Sequence, residues 1–287
     1  MITTRAWVEQ IMGMPISVHV RALDIDRAEI RHAVEQVFTH LRRADSVFST
    51  YNADSDLMRS RHGRVAASDV DPWIWKVDKL CRAATDATGG LFTSDLLGPD
   101  GTRGWDPTGL VKGWAVGDAA EHLRGIDHIG FSINAGGDIV CGLGRGSTAL
   151  ATPLRIGIQD PNRPGIIARV VDVVDGALAT SGSVARGNHI IDPRSGTPVR
   201  RRSSTTVIGP DLMWADIWAT ATFVDTAALT DRPEWSAYTL VTTDPEISEP
   251  PTCARPAGLR DNPALGWGDE RSTEQTRAVR IRGRLAP

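Results

Sequence analysis

The stretch Trp105-Asp106-Pro107-Thr108-Gly109-Leu110-Val111-Lys112-Gly113-Trp114 brings together side chains suited to handling phosphate. Its composition predicts a polar turn feeding a helix. Asp106 is placed to cap, Pro107 to take the first helical position, and Gly109 to leave the backbone uncovered. Lys112 then falls one turn into the helix, near the end whose free N–H groups and dipole attract phosphate. A carboxylate, a bare backbone and a lysine this close together make half of a site for a phosphorylated ligand. Read alone, the same stretch is also an ordinary capped helix with a solvated lysine.

Further residues could complete such a site. Asp216 and Thr220 are four apart in a helical segment, so their oxygens project from one face and form a partial shell for Mg²⁺. The plainer alternative has Thr220 bonding back to its own helix and Asp216 facing water. His189 is either a base tuned near neutral pH or a satisfied histidine at a strand start. Asp138, just after Gly136-Gly137, reads as a turn residue.

The elements that must position these groups follow from periodicity. Residues 14–20 alternate as a half-buried strand, and apolar spacing from Ile30 to Phe48 predicts a helix over 26–45, with His32 and His40 on its polar side. A polar loop over 48–56 carries Tyr51, free to stack on a ring. A second helix spans 68–88 and stops at Gly89-Gly90. The central helix continues to His122. Strands are expected at 129–133 and 139–141 around Asn134-Ala135-Gly136-Gly137-Asp138, then at 154–158, 169–174, 204–208 and 237–241. The small, hydroxyl-rich run 177–183 suits a packed hairpin poorly, and a last helix covers 211–229. Strands joined by short turns favour an α+β arrangement over a doubly wound sheet. Neither Gly-x-Gly-x-x-Gly after the first strand nor a Gly-Lys-Ser/Thr phosphate loop occurs.

Composition limits the partners. Across 287 residues, 41% are hydrophobic and 23% charged, enough for a normal core. A net charge of −3 argues against nucleic acid or an anionic membrane as the main partner. Arg200-Arg201-Arg202 reads as a solvated strand edge. Cys81, Cys141 and Cys253 fit neither a disulfide framework nor a zinc site, and suit a reducing compartment. With no signal-like or membrane-spanning run, a cytoplasmic protein is expected. Residues 1–243 form the expected domain; 244–287, rich in proline and charge, the expected weakly ordered or partly docked extension.

The order of these elements resembles the ApbE-like flavin transferases (FAD:protein FMN transferases). The resemblance runs from Met12-Gly13 through the 49–57 loop, Thr88-Gly89-Gly90-Leu91-Phe92, Asp106 to Gly113, Asn134 to Asp138, Thr180-Ser181-Gly182 and His189-Ile190-Ile191-Asp192-Pro193-Arg194-Ser195-Gly196, to Ala215 through Ala221. It implies mixed sheets and helices, related to T-fold-like toroids, around a cleft for FAD. Such enzymes join FMN from FAD to a Thr or Ser of an acceptor flavoprotein and release AMP. By matching position, Asp106 and Lys112 would contact FAD. The Gly109 carbonyl, Asp216 and Thr220 would hold Mg²⁺, and His189 would act as base. Met12, Phe92 and Thr93 match flavin-cleft positions. Thr93 stands where the family usually has Asp, with Asp95 two residues later, and Asp56 and Arg59 depart from its early loop. The alternatives are an FAD pyrophosphatase and a non-catalytic flavin-delivery protein.

Overall fold

The computed structural model describes residues 1–97, 103–147, 150–183, 187, 190–230, 232–243 and 280–282. It opens with a hairpin of β1 (Thr3–Ile11) and β2 (Met14–Ala22), followed by the long helix α1 (Ala28–Phe48). Ser55 caps a short helix α2 (Asp56–Arg61), its side chain accepting the Met58 N–H at 3.1 Å. Next come α3 (Trp73–Thr88), the small hairpin β3 (Asp95–Leu97) and β4 (Arg103–Trp105), and α4 (Thr108–Arg124). Four strands follow: β5 (Ile129–Ala135), β6 (Asp138–Leu143), β7 (Leu154–Gln159) and the long β8 (Ile167–Gly182). A two-residue ribbon of β9 (Ile191–Asp192) and β10 (Thr197–Pro198) leads to β11 (Ser204–Gly209), α5 (Leu212–Val224) and β12 (Thr239–Thr243). Finally β13 (Arg280–Arg282) pairs with β8 in parallel.

Seven strands lie in the order β1-β2-β5-β6-β8-β11-β12, each antiparallel to its neighbour, and β7 and β13 join through β8. Strand alternation sorts side chains to two faces. Val140, Ala177, Ala179 and Val207 face a core shared with α1, α4 and α5. Their neighbours Cys141, Leu178 and Ile208 face a smaller core with Ile156, Val171 and Val173. The expected α+β architecture is therefore what forms.

Of the run 177–183, which suited a hairpin poorly, residues 177–182 end β8 and Ser183 follows it. The run's small side chains admit α5, and its hydroxyls bond neighbouring elements. Thr180 Oγ1 lies 2.9 Å from Thr206 Oγ1, and Ser181 Oγ 3.1 Å from Thr220 Oγ1 on α5.

Several expectations need correction. Helix α1 starts and ends later than 26–45, because Val47 and Phe48 still bury into the core. The helix expected over 68–88 begins only at Trp73, where Asp71 Oδ1 accepts the Trp73 N–H. Part of the early loop is helical as α2, and the last helix ends at Val224 rather than 229. His32 is exposed, but His40 is half-buried against the rings of Trp73 and Trp114, with Nε2 3.5 Å from Asp118 Oδ2. Tyr51 is fully exposed and joins no ring pair among the described residues. Arg201 is half-buried, its guanidinium over Phe223, so the arginine run is only partly solvated. Cys81 and Cys141 are free and buried, and burial pushes their thiols up to about 11 and about 12. Cys253 lies outside the described residues.

Candidate active site

The site is built where α4 crosses α5. A side chain at Gly113 would lie 3.0 Å from Met213 Cα, 3.2 Å from Asp216 Cβ and 3.2 Å from the Leu212 carbonyl oxygen. A methyl there would crowd α5 and push the two helices apart by a few tenths of an ångström. Because Lys112 precedes Gly113, the same crossing brings its ammonium to Asp216, with Nζ 3.5 Å from Oδ2.

The second carboxylate comes from the sheet. Gly136 and Gly137 both have positive φ, 63° and 102°, as a two-residue hairpin turn of this hand requires. Asn134 Oδ1 closes the turn by accepting the Gly137 N–H at 2.9 Å. Asp138 therefore begins β6, register-paired with Ala135. Its Oδ1 accepts the Thr180 N–H at 3.1 Å, and its Oδ2 forms an ion pair with Lys112. The side chains of Asp138 and Asp216 are 2% and 7% exposed, and that of Lys112 20%. Two nearly buried carboxylates thus share one ammonium. Reading Asp138 as a mere turn residue missed this; its signal was a charged side chain opening an otherwise apolar strand.

The start of α4 differs slightly from expectation. The helix begins at Thr108 with Pro107 as cap, one residue late, because the Leu110 and Val111 N–H groups both bond the Pro107 carbonyl. Asp106 still ties the turn, its Oδ1 accepting the N–H and hydroxyl of Thr108 at 3.0 and 2.7 Å. Arg61 of α2 joins it, 3.3 Å from Asp106 Oδ2 and donating to the Trp105 carbonyl at 2.9 Å. Nothing in the local sequence linked residues 61 and 106; only the packing of α2 shows it.

Phe92 is buried with its ring over Gly109, 3.5 Å from where a Cβ would lie. Its N–H donates to Thr88 Oγ1 at 3.0 Å. Thr93 Oγ1 accepts the Asp95 N–H, while Asp95 is exposed and paired with Arg103. Asp95 is therefore engaged in its own hairpin. Met12 sits on the β1–β2 turn at φ 54°, its N–H donating to Asp45 Oδ2 of α1 at 3.2 Å. The geometry thus joins Phe92 to Gly109 and Lys112 to Asp216, whereas Met12 is tied to α1. His189 lies outside the described residues.

The plain readings of two residues do not hold. Asp216 is buried and faces Lys112, and the Thr220 hydroxyl pairs with Ser181. Among the described residues no three His, Cys, Asp or Glu side chains gather into a metal cage. The oxygens here nonetheless suit a hard cation. The Asp216 carboxylate and the Thr220 hydroxyl one turn on are the kind of sparse set Mg²⁺ takes when water and substrate phosphate complete its shell.

A sequence model of the ApbE family matches residues 101–233, which hold α4, the Gly-Gly hairpin, β8 and α5. The chain is 27% identical over 267 residues to the FAD:protein FMN transferase of Klebsiella pneumoniae, covering 71% of this chain and 74% of that one. It is 26% identical over 272 residues to the one from Salmonella typhimurium, covering 74% and 76%. Among solved structures, the ApbE protein of Thermotoga maritima superposes with a TM-score of 0.68 at 22% identity, over 84% of this chain and 94% of that one. The flavin transferase ApbE of Vibrio cholerae gives 0.62 at 23%, over 78% and 87%. The chain thus resembles the ApbE family over residues 101–233 and shares its fold over most of its length.

Proposed function

We propose that this chain is an FAD:protein FMN transferase: with Mg²⁺ it moves FMN from FAD to a Thr or Ser hydroxyl of an acceptor flavoprotein and releases AMP. The observation that carries this is the Lys112–Asp138–Asp216 cluster at the α4–α5 crossing, set in an ApbE fold. The acceptor oxygen attacks the FMN-side phosphorus, the bond from that phosphorus to the bridging oxygen breaks, and AMP leaves carrying the bridging oxygen. His189 takes the hydroxyl proton, the role of a general base. Lys112 neutralises phosphate charge, and Asp106, braced by Arg61 and Thr108, orients FAD with Phe92, Thr93 and Met12 lining the flavin end. Asp216, Thr220 and the Gly109 carbonyl hold Mg²⁺, which would offset negative charge developing on the pyrophosphate. Residues 1–243 carry this chemistry, and the acceptor is met in the cytoplasm.

The test is mass spectrometry of a candidate flavoprotein incubated with this chain, FAD and Mg²⁺. A gain of one FMN unit on Thr or Ser supports transfer. AMP release without any acceptor points to a pyrophosphatase, and intact bound FAD with no turnover to a carrier. Asp216→Ala should abolish transfer while weakening FAD binding less, because charge in the transition state loses most. His189→Ala should keep FAD binding and slow transfer by roughly 10²- to 10⁴-fold.

A further inference from the structure

Lys112 sits between two carboxylates, and their placement is unequal. Asp138 is the more deeply buried, starts a strand directly after a two-glycine turn, and is fixed by the Thr180 N–H. Its contact with Lys112 is also the closer; Asp216 stands at 3.5 Å. An ammonium seated fully on Asp216 would occupy the place, and cancel the charge, that a divalent cation needs there.

We propose that Asp138 is a positioning residue that holds the Lys112 ammonium off Asp216, leaving the Asp216 carboxylate to a divalent cation. The inference rests on the metal assignment of the preceding section. Asp138 touches neither substrate nor metal in this scheme; it acts through Lys112. Without its charge, Lys112 is drawn further onto Asp216, and cation binding weakens even though every ligand remains.

Mn²⁺, titrated into the protein and followed by electron paramagnetic resonance, is the probe, so the readout is binding rather than turnover. Asp138→Asn keeps the shape and the oxygen that accepts from Thr180, and should raise the Mn²⁺ Kd by roughly tenfold or more. That corresponds to about 1.4 kcal/mol per tenfold change. Lys112→Met should leave the Kd unchanged or lower it, by removing the competing cation. In the Lys112→Met background, Asp138→Asn should then change the Kd by less than about threefold. If the tenfold loss persists there, Asp138 acts on the metal by its own charge and the proposal is overturned. Asp138→Glu keeps the charge and covers the case of an unfolded Lys112→Met protein. Mn²⁺ affinity near wild type supports the proposal, and a loss equal to that of Asp138→Asn counts against it. Asp216→Ala separates the two readings. If wild type and Asp216→Ala bind Mn²⁺ alike, the metal assignment fails and this inference with it; if only wild type binds, the cycle decides Asp138 alone.

Discussion

At the scale of single residues, His40 shows how a neighbourhood overrides a helical-wheel position. It lies on the face of α1 that turns toward α3 and α4, with ring centroids 4.8 Å from Trp73 and 5.9 Å from His122. Burial pushes its pKa below the ordinary histidine value, and His122, Lys76 and Arg43 push the same way against the opposing pull of Asp118. Arg43 also covers the Trp73 ring, and Lys76 the Trp114 ring. The folded state therefore prefers neutral His40, while the unfolded chain binds a proton more readily. Stability contributed this way is present above the unfolded value near 6.5 and is lost as pH falls through it toward the lower folded value. Thermal melts should thus show wild-type Tm falling from pH 7.5 to 5.5, and His40→Gln falling less. An equal or larger fall in the variant would remove His40 from the acid response.

At the scale of elements, one-faced apolar spacing revealed α1 and most of α3, the Asp-Pro turn announced α4, and the glycine pair the hairpin; α5, buried on nearly all sides, showed itself by its Ala- and Trp-rich run. These signals missed β1, α2 and the small ribbons, whose stability comes from partners distant in sequence. The site was half legible: Asp106, Gly109, Lys112, Asp216 and Thr220 stood out by spacing. Asp138, Arg61 and Ser181 did not, since tertiary packing alone brings them in. The glycines of α4 show the same limit, for only the crossing separates their roles. At Gly113 a methyl would press on α5 backbone, costing about 1–3 kcal/mol against a helix-propensity gain of about 1. At Gly117 it would meet only Leu212 Cβ at 3.8 Å, an ordinary contact. Gly113→Ala should therefore lower Tm by several degrees and weaken Mn²⁺ binding. Gly117→Ala should leave Tm unchanged or raise it by roughly 2–4 °C. Shifts of the same sign in both variants would contradict this account of the crossing.

At the scale of the whole molecule, every buried side chain of the main core among the described residues falls within 1–243, and β12 is the last strand in the sheet order, ending at Thr243. Residues 244–279 and 283–287 lie outside the described residues, so the structure is silent on the expected loose tail. Within that extension, residues 280–282 add a short parallel strand to β8. The energetic worth of that strand can be bounded. Each of its backbone hydrogen bonds contributes about 0.5–1.5 kcal/mol net, and ordering each of its residues costs about 1–2 kcal/mol of chain entropy. These terms nearly cancel over three residues, and the N-terminal half of β8 keeps β7 whatever becomes of β13. A chain ending at Thr243 should therefore fold cooperatively, melt within about 5 °C of the full protein, and bind FAD with similar affinity. Calorimetry and an FAD titration on both lengths check this. A fall of more than about 10 °C, or loss of FAD binding, would show that residues 244–287 dock on far more of the domain than the edge of β8.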